Sequence, residues 1–419
     1  TATGLVNNET IAVLTGVSAS GATGINAASY TNTMSGTDSN YNLTLVNGTL
    51  TIGKANATVT GNSANVTYNA NSQSVSGYTA TGLVNGETIA VLTGVTASGA
   101  TGTNYGSYAN TVSGTDSNYN LTLVNGTLAI AKAALTVTGA NTAATYSGLA
   151  QTNSAATVTG LQGSDNFTIT GYGAGTNYRA TAYADTLVAT PVAGTLASNY
   201  TISYTNGGIS IGKAALVVTA DNQTRIYGNA NPTLTYTVTG YVNGEGASVL
   251  TGAPSISTTA TNTSNVGNVT ITAAANTLAA SNYSLSYANG TLSITPAALS
   301  ITGANATATY TGLAQTNSAA SVSGLKNTDS FTISGYGVGT NASTTAYADT
   351  LVATPVAGTL ASNYTISYTN GGITIGKANA TVTGNSASVT YTGLAQSVSG
   401  YTATGLVNNE TIAVLTGVS

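Results

Sequence analysis

The chain has 419 residues, 42% of them hydrophobic and 4% charged, with a formal net charge of −4; soluble proteins ordinarily carry roughly 25% charged residues. It contains no His, Cys or Trp, which excludes triads, imidazole acid–base work, zinc and thiolate sites, and disulfides. No basic patch offers a footprint for nucleic acid, and no run of 18 apolar residues is present to span a membrane as a helix. Alternating Val, Ile, Leu and Tyr with Thr, Ser and Asn predict strands, because disorder needs low hydrophobicity with high net charge.

Residues 1–54 read as the closing part of a first-type repeat, ending in SNYNLTLVNGTLTIGK. Asn47-Gly48 is a two-residue hairpin signal, since both turn positions need φ > 0. That loop pairs Val46 with Thr49, Leu45 with Leu50, Leu43 with Ile52 and Tyr41 with Lys54. The same register pairs Tyr200 with Lys213 and Tyr283 with Pro296. The Tyr41 ring then lies on the Lys54 stem, a contact of about 0.5–1 kcal/mol, and Pro296 takes the lysine's place on Tyr283.

Three series measure the period. Tyr41, Tyr119, Tyr200, Tyr283 and Tyr364 are 78, 81, 83 and 81 residues apart; Tyr68, Tyr146, Tyr227, Tyr310 and Tyr391 repeat those spacings, as do Lys54, Lys132, Lys213, Pro296 and Lys377. The chain is a tandem array. Its repeats are 55–132 (first type), 133–213 (second), 214–296 (third) and 297–377 (second again), with 378–419 beginning a first-type repeat. Residues 1–18 recur unchanged at 402–419, so the chain reads as a window cut from a longer array.

Each repeat is expected to hold five or six strands and at most one short helical turn, near NGETIAVL. The linkers, GKA or TPA, are too short to act as flexible tethers. The predicted fold is all-β, an end-to-end array of roughly 80-residue domains, each about 12 Å in radius of gyration. Five of them would form a rod on the order of 150–200 Å long.

Candidate chemistry is sparse. GYGAGTNY and GYGVGTN are glycine-rich, but no helix pattern follows to make a phosphate loop. One acid recurs: Glu9, Glu87, Asp165, Glu245, Asp329 and Glu410 each follow an apolar Leu or Tyr by four residues. A single carboxylate is too few for a calcium cage of six to eight oxygens, and Pro296 breaks the lysine series that an isopeptide cross-link would need. The acid therefore reads as a turn carboxylate binding backbone N–H groups. No catalytic, cofactor or metal residue is assigned, and no enzyme is expected.

The third-type repeat, AALVVTADNQTRIYGNANPTLTYTVTGYVNGEGASVLTG closed by SNYSLSYANGTLSITPA, resembles the MBG repeat, and the other repeats resemble its YDG-type relatives. Where a Tyr-Asp-Gly signature would stand, this chain has YNA, YSG, YGN and YTG. Such repeats occur in very large bacterial surface and secreted proteins, including filamentous-haemagglutinin-type adhesins. The resemblance implies an extracellular, non-enzymatic stalk or fibre serving adhesion, biofilm or cell-surface architecture, with self-association or matrix contacts. An alternative reading is a polyvalent array that binds glycan, or less readily ice, which would need one flat exposed Tyr or Thr ladder in every repeat.

Overall fold

A computed structural model describes residues 1–418, which fall into two compact units. The first comprises Thr1–Thr145 and Leu149–Gly212; the second takes Tyr146–Gly148 with the chain from Lys213 onward. Both are built from strands, with 3-10 turns of three residues such as Ile89–Val91. That turn lies inside the stretch expected to be helical.

In the first unit, residues 55–131 show the plan. Strand Ala55–Gly61 buries every second residue, Ala57, Val59 and Gly61, as a half-buried strand must. It pairs antiparallel with Tyr78–Thr81 and parallel with Tyr119–Val124. A second sheet has Gly126–Ala131 at its centre, parallel to Ala64–Thr67 and antiparallel to Gly106–Asn110. The plan returns at 133–212, where Ala133–Gly139 lies between Ala156–Thr159 and Tyr200–Thr205. In the second unit Ala214–Ala220 lies between Tyr236–Thr239 and Tyr283–Ala288. There the second sheet widens to four strands, in the order Gln223–Ile226, Gly290–Thr295, Gly267–Ala274 and Ser255–Thr258. Ala297–Gly303, between Ala320–Ser323 and Tyr364–Thr369, repeats the arrangement.

The hydrophobic core runs across repeat boundaries. In the first unit Leu128 and Ile130 share one buried cluster with Leu135, Phe167 and Tyr200. In the second, Leu292 and Ile294 do so with Leu299 and Tyr364. The linker is too short to separate the apolar faces on either side of it, so burying them together removes more apolar surface from water.

The expected closing hairpin does not form. Tyr119–Val124 and Gly126–Ala131 belong to different sheets, and each takes a parallel partner from the start of its own repeat. The pairings of Tyr41 with Lys54, Tyr200 with Lys213 and Tyr283 with Pro296 fall with it. Apolar alternation serves a strand in either sheet equally well, so the pattern alone did not choose the partner. At the corner, Asn125 Oδ1 accepts from Val112 N at 3.0 Å, and Gly126 is needed for room. A Cβ there would lie 2.2 Å from the Asn62 carbonyl oxygen and 2.4 Å from that of Gly61. Neither Asn125 nor Gly126 has positive φ. Strands are also more numerous than the five or six expected, ten over 55–131 and seven over 214–295.

Candidate functional site

The left-handed Asn-Gly turn does occur, but at the recurring acid. Asn85 (φ 53°) and Gly86 (φ 73°) form it, with Glu87 N donating to Val84 O at 3.0 Å. Asn243 and Gly244 do the same ahead of Glu245, which closes on Val242 O. Asn and Gly are the residues that adopt this geometry cheaply. The turn fixes where the carboxylate stands.

A tyrosine hydroxyl then closes on both ends of that turn. Tyr119 Oη accepts from Val84 N at 3.0 Å and donates to Glu87. Tyr200 accepts from Gln162 N at 2.9 Å and donates to Asp165 Oδ2 at 2.6 Å. Tyr364 accepts from Lys326 N and donates to Asp329 Oδ2 at 2.7 Å. Tyr283 pairs likewise with Val242 N and Glu245, and Tyr41 with Val6 N and Glu9. The first tyrosine series therefore holds one position in each repeat, buried at Tyr119, Tyr200, Tyr283 and Tyr364.

Three tyrosines of the second series reach the same carboxylates from elsewhere in the chain. Tyr68, from the repeat before, donates to Asp165 Oδ2 at 2.8 Å, and its ring meets Tyr200 edge to face at 5.5 Å. In the second unit Tyr227 donates to Asp329 Oδ2 at 2.9 Å and meets Tyr364 at 5.6 Å. Tyr146 donates to Glu245 Oε1 and meets Tyr283 at 5.3 Å. Tyr310 donates to Glu410. Tyr391 is 91% exposed. Two phenols on one carboxylate make charge-assisted bonds, each worth about 1.5–3 kcal/mol, and an edge-to-face ring pair adds about 0.5–1.5 kcal/mol.

The titration behaviour follows from this geometry. Burial, and then the bond to Asp165, raise the Tyr200 phenol well above its ordinary value. Burial and the Asp329 bond raise Tyr364 from 10.0 to about 12. The donated bonds from Tyr146 and then Tyr283 lower the Glu245 carboxyl. Ionised acid and neutral phenols are the mutually stabilised states. The acid was expected to bind backbone N–H groups; its side chain binds phenols instead, while its own backbone closes the turn.

A second bracket escaped the sequence reading. Asn199, buried, accepts from Tyr105 N at 2.9 Å and donates to Asn104 Oδ1 at 3.0 Å in the preceding repeat. Asn118 does this with Ala27 N and Asn26, and Asn363 with Val266 N and Asn265. The signal was present: Asn precedes the first-series tyrosine at residues 40, 118, 199, 282 and 363.

The remaining singled-out positions are scattered around these brackets. Asn47 Oδ1 accepts from Met34 N at 2.9 Å, the corner role of Asn125, and strand Gly48–Thr51 starts at Gly48. Lys54 Nζ donates to Asp116 O at 2.6 Å and Lys213 Nζ to Ala280 O at 3.3 Å. Lys132 lies 5.0 Å from the Tyr105 ring centroid, a cation–π contact with a different tyrosine from the one expected. Pro296 and Lys377 are exposed.

Buried acids occur inside the second-type repeats. Asp185 accepts from Asn153 Nδ2 at 3.0 Å, from Gly173 N at 2.8 Å and from Gly207 N at 3.2 Å. Asp349 repeats the set with Asn317, Gly337 and Gly371. These bonds satisfy a carboxylate that no solvent reaches.

The architecture is that of an all-β tandem array. Residues 57–129 and 216–293 match the MBG domain (YGX type) family. The match takes in a first-type as well as the third-type repeat. No curated protein matches the chain. Among solved structures, Drosophila N-cadherin EC1-4 is similar over 54% of this chain and 70% of its own, at 10% identity and a TM-score of 0.15.

Proposed function

We propose that the chain is a structural repeat region of a long extracellular bacterial fibre or adhesin stalk, giving length and stiffness for adhesion, biofilm or cell-surface architecture. The carrying observation is the shared carboxylate. The most regular polar groups of the chain, two tyrosines and an acid, are used on one another, with Tyr68 of one repeat and Tyr200 of the next both bonded to Asp165. MBG domains are typical of extracellular and surface proteins, and no helix among the described residues is long and apolar enough to cross a membrane. A continuous core and paired brackets at a boundary favour a stiff connection over a tether.

Small-angle scattering and rotary-shadowed electron microscopy of the 419-residue chain test this reading. Particles extended on the order of 150 Å or more, as about five repeats of 30–40 Å would give, support it. A compact particle near the radius of gyration of a single 419-residue globule, about 22 Å, would overturn it.

A further inference from the structure

The paired tyrosines have chemistry beyond hydrogen bonding. We propose that each pair on a shared carboxylate is a covalent cross-linking site, at which one-electron oxidation joins Tyr68 to Tyr200, Tyr227 to Tyr364 and Tyr146 to Tyr283 as dityrosine.

Geometry carries the proposal. Tyr68 and Tyr200 donate to the same atom, Asp165 Oδ2, at 2.8 and 2.6 Å. Tyr227 and Tyr364 converge in the same way on Asp329 Oδ2, at 2.9 and 2.7 Å. Each convergence brings together the hydroxyl-bearing ends of two rings, where the ortho carbons lie. The ring centroids are 5.5 and 5.6 Å apart with the planes 78° and 77° to one another. The third pair, Tyr146 and Tyr283, holds the two oxygens of Glu245 with centroids 5.3 Å apart.

The carboxylate supplies the second requirement. A phenol that gives up an electron must also give up its proton, and the hydrogen-bonded acid is already placed to take it. Two phenoxyl radicals formed side by side then couple intramolecularly, an arrangement whose effective concentration far exceeds that of colliding chains. Composition supplies the third. With 25 Tyr, one Met and no Cys or Trp, tyrosine is the main oxidisable side chain of the protein, and no disulfide competes as a staple.

The reaction balances with a peroxide-driven one-electron oxidant. Two phenols lose two electrons and two protons; the radicals form one carbon–carbon bond between ortho positions. Each ortho hydrogen then moves to its ring's oxygen, restoring the phenol. Hydrogen peroxide accepts the two electrons and two protons and becomes two waters.

Visible-light oxidation of the dilute full-length chain with ruthenium tris-bipyridine and persulfate, followed by peptide mass mapping, tests the site. Persulfate takes the two electrons and leaves as two sulfates. The expected products are intrachain peptides linking Tyr68 to Tyr200 and Tyr227 to Tyr364, in yields independent of protein concentration. Tyr68→Phe should lose the first link and keep the second. Asp165→Asn, which retains both rings, should slow the first link relative to the second within the same chain. Coupling confined to exposed tyrosines such as Tyr391 and Tyr105 overturns the proposal, as does an unchanged ratio of the two links in Asp165→Asn.

Discussion

Asp165, Glu245 and Asp329 each accept two phenol hydrogen bonds, and both bonds are strongest when the acid is ionised and the phenols are neutral. Stability should therefore have two pH limits. The Glu245 carboxyl is depressed from its ordinary 4.5, so its contribution is present above that value and is lost as pH falls through the lower folded value. Tyr364 is raised from 10.0 to about 12, so its contribution is complete below pH 10 and is lost as pH rises from 10 toward 12. Urea titrations of the chain should show a plateau at neutral pH with a fall on either side, and Tyr364→Phe should shrink the alkaline fall. An alkaline limb of unchanged depth in that variant would contradict the assignment. A second residue-scale test lies inside the repeats. Thr142 donates to Asn153 Oδ1 at 3.3 Å, whereas Ala306 occupies the matching place beside Asn317, whose Oδ1 is buried without a partner. Ala306→Thr should stabilise the second unit by about 0.5–1.5 kcal/mol, and Thr142→Ala should cost the first unit about 1–3 kcal/mol, both read by chemical denaturation.

Within the elements, the corner glycines carry the strongest steric demand. Gly126→Ala would press a methyl group against two carbonyl oxygens, and overpacking of this kind costs about 1–3 kcal/mol. Gly53→Ala meets nothing within 4 Å and should stay within about 0.5 kcal/mol of the parent; melting curves of the two variants separate the effects. These corners also show what a reader of the sequence could reach. The period, the strands and the fixed position of the acid were all legible, because the chain repeats them and alternation reports burial. Partner choice was not. Asn47-Gly48 and Asn85-Gly86 have the same dipeptide, yet only Asn85-Gly86 is a left-handed turn. At Asn125-Gly126, the counterpart of Asn47-Gly48, the strands that compete for pairing lie 64 residues upstream, as Tyr119 with Ala55 and Leu128 with Ala64 show, and local pattern carries no information about that distance. The phenol acceptors were missed for the same reason. Tyr68 and Asp165 are 97 residues apart, and spacing alone says that they recur without saying that they meet.

For the whole molecule, the brackets predict that neighbouring repeats fail together more often than independent domains would. Asp165→Ala leaves the Tyr68 phenol without its carboxylate partner and should cost about 1–3 kcal/mol. It should also broaden the denaturation transition of the first unit; an equally sharp transition would show that the shared core alone couples the repeats. Stretching single chains by their ends should release steps of about 260–290 Å, the extended length of roughly 80 residues. How those steps break follows from the parallel pairing of opening and closing strands. Tyr119–Val124 runs beside Ala55–Thr60 over six rungs, in the same direction. Tension entering at one strand and leaving by the other slides the two lengthwise, so all six rungs bear the load at once. An antiparallel closing ribbon would peel open rung by rung; this one must be sheared.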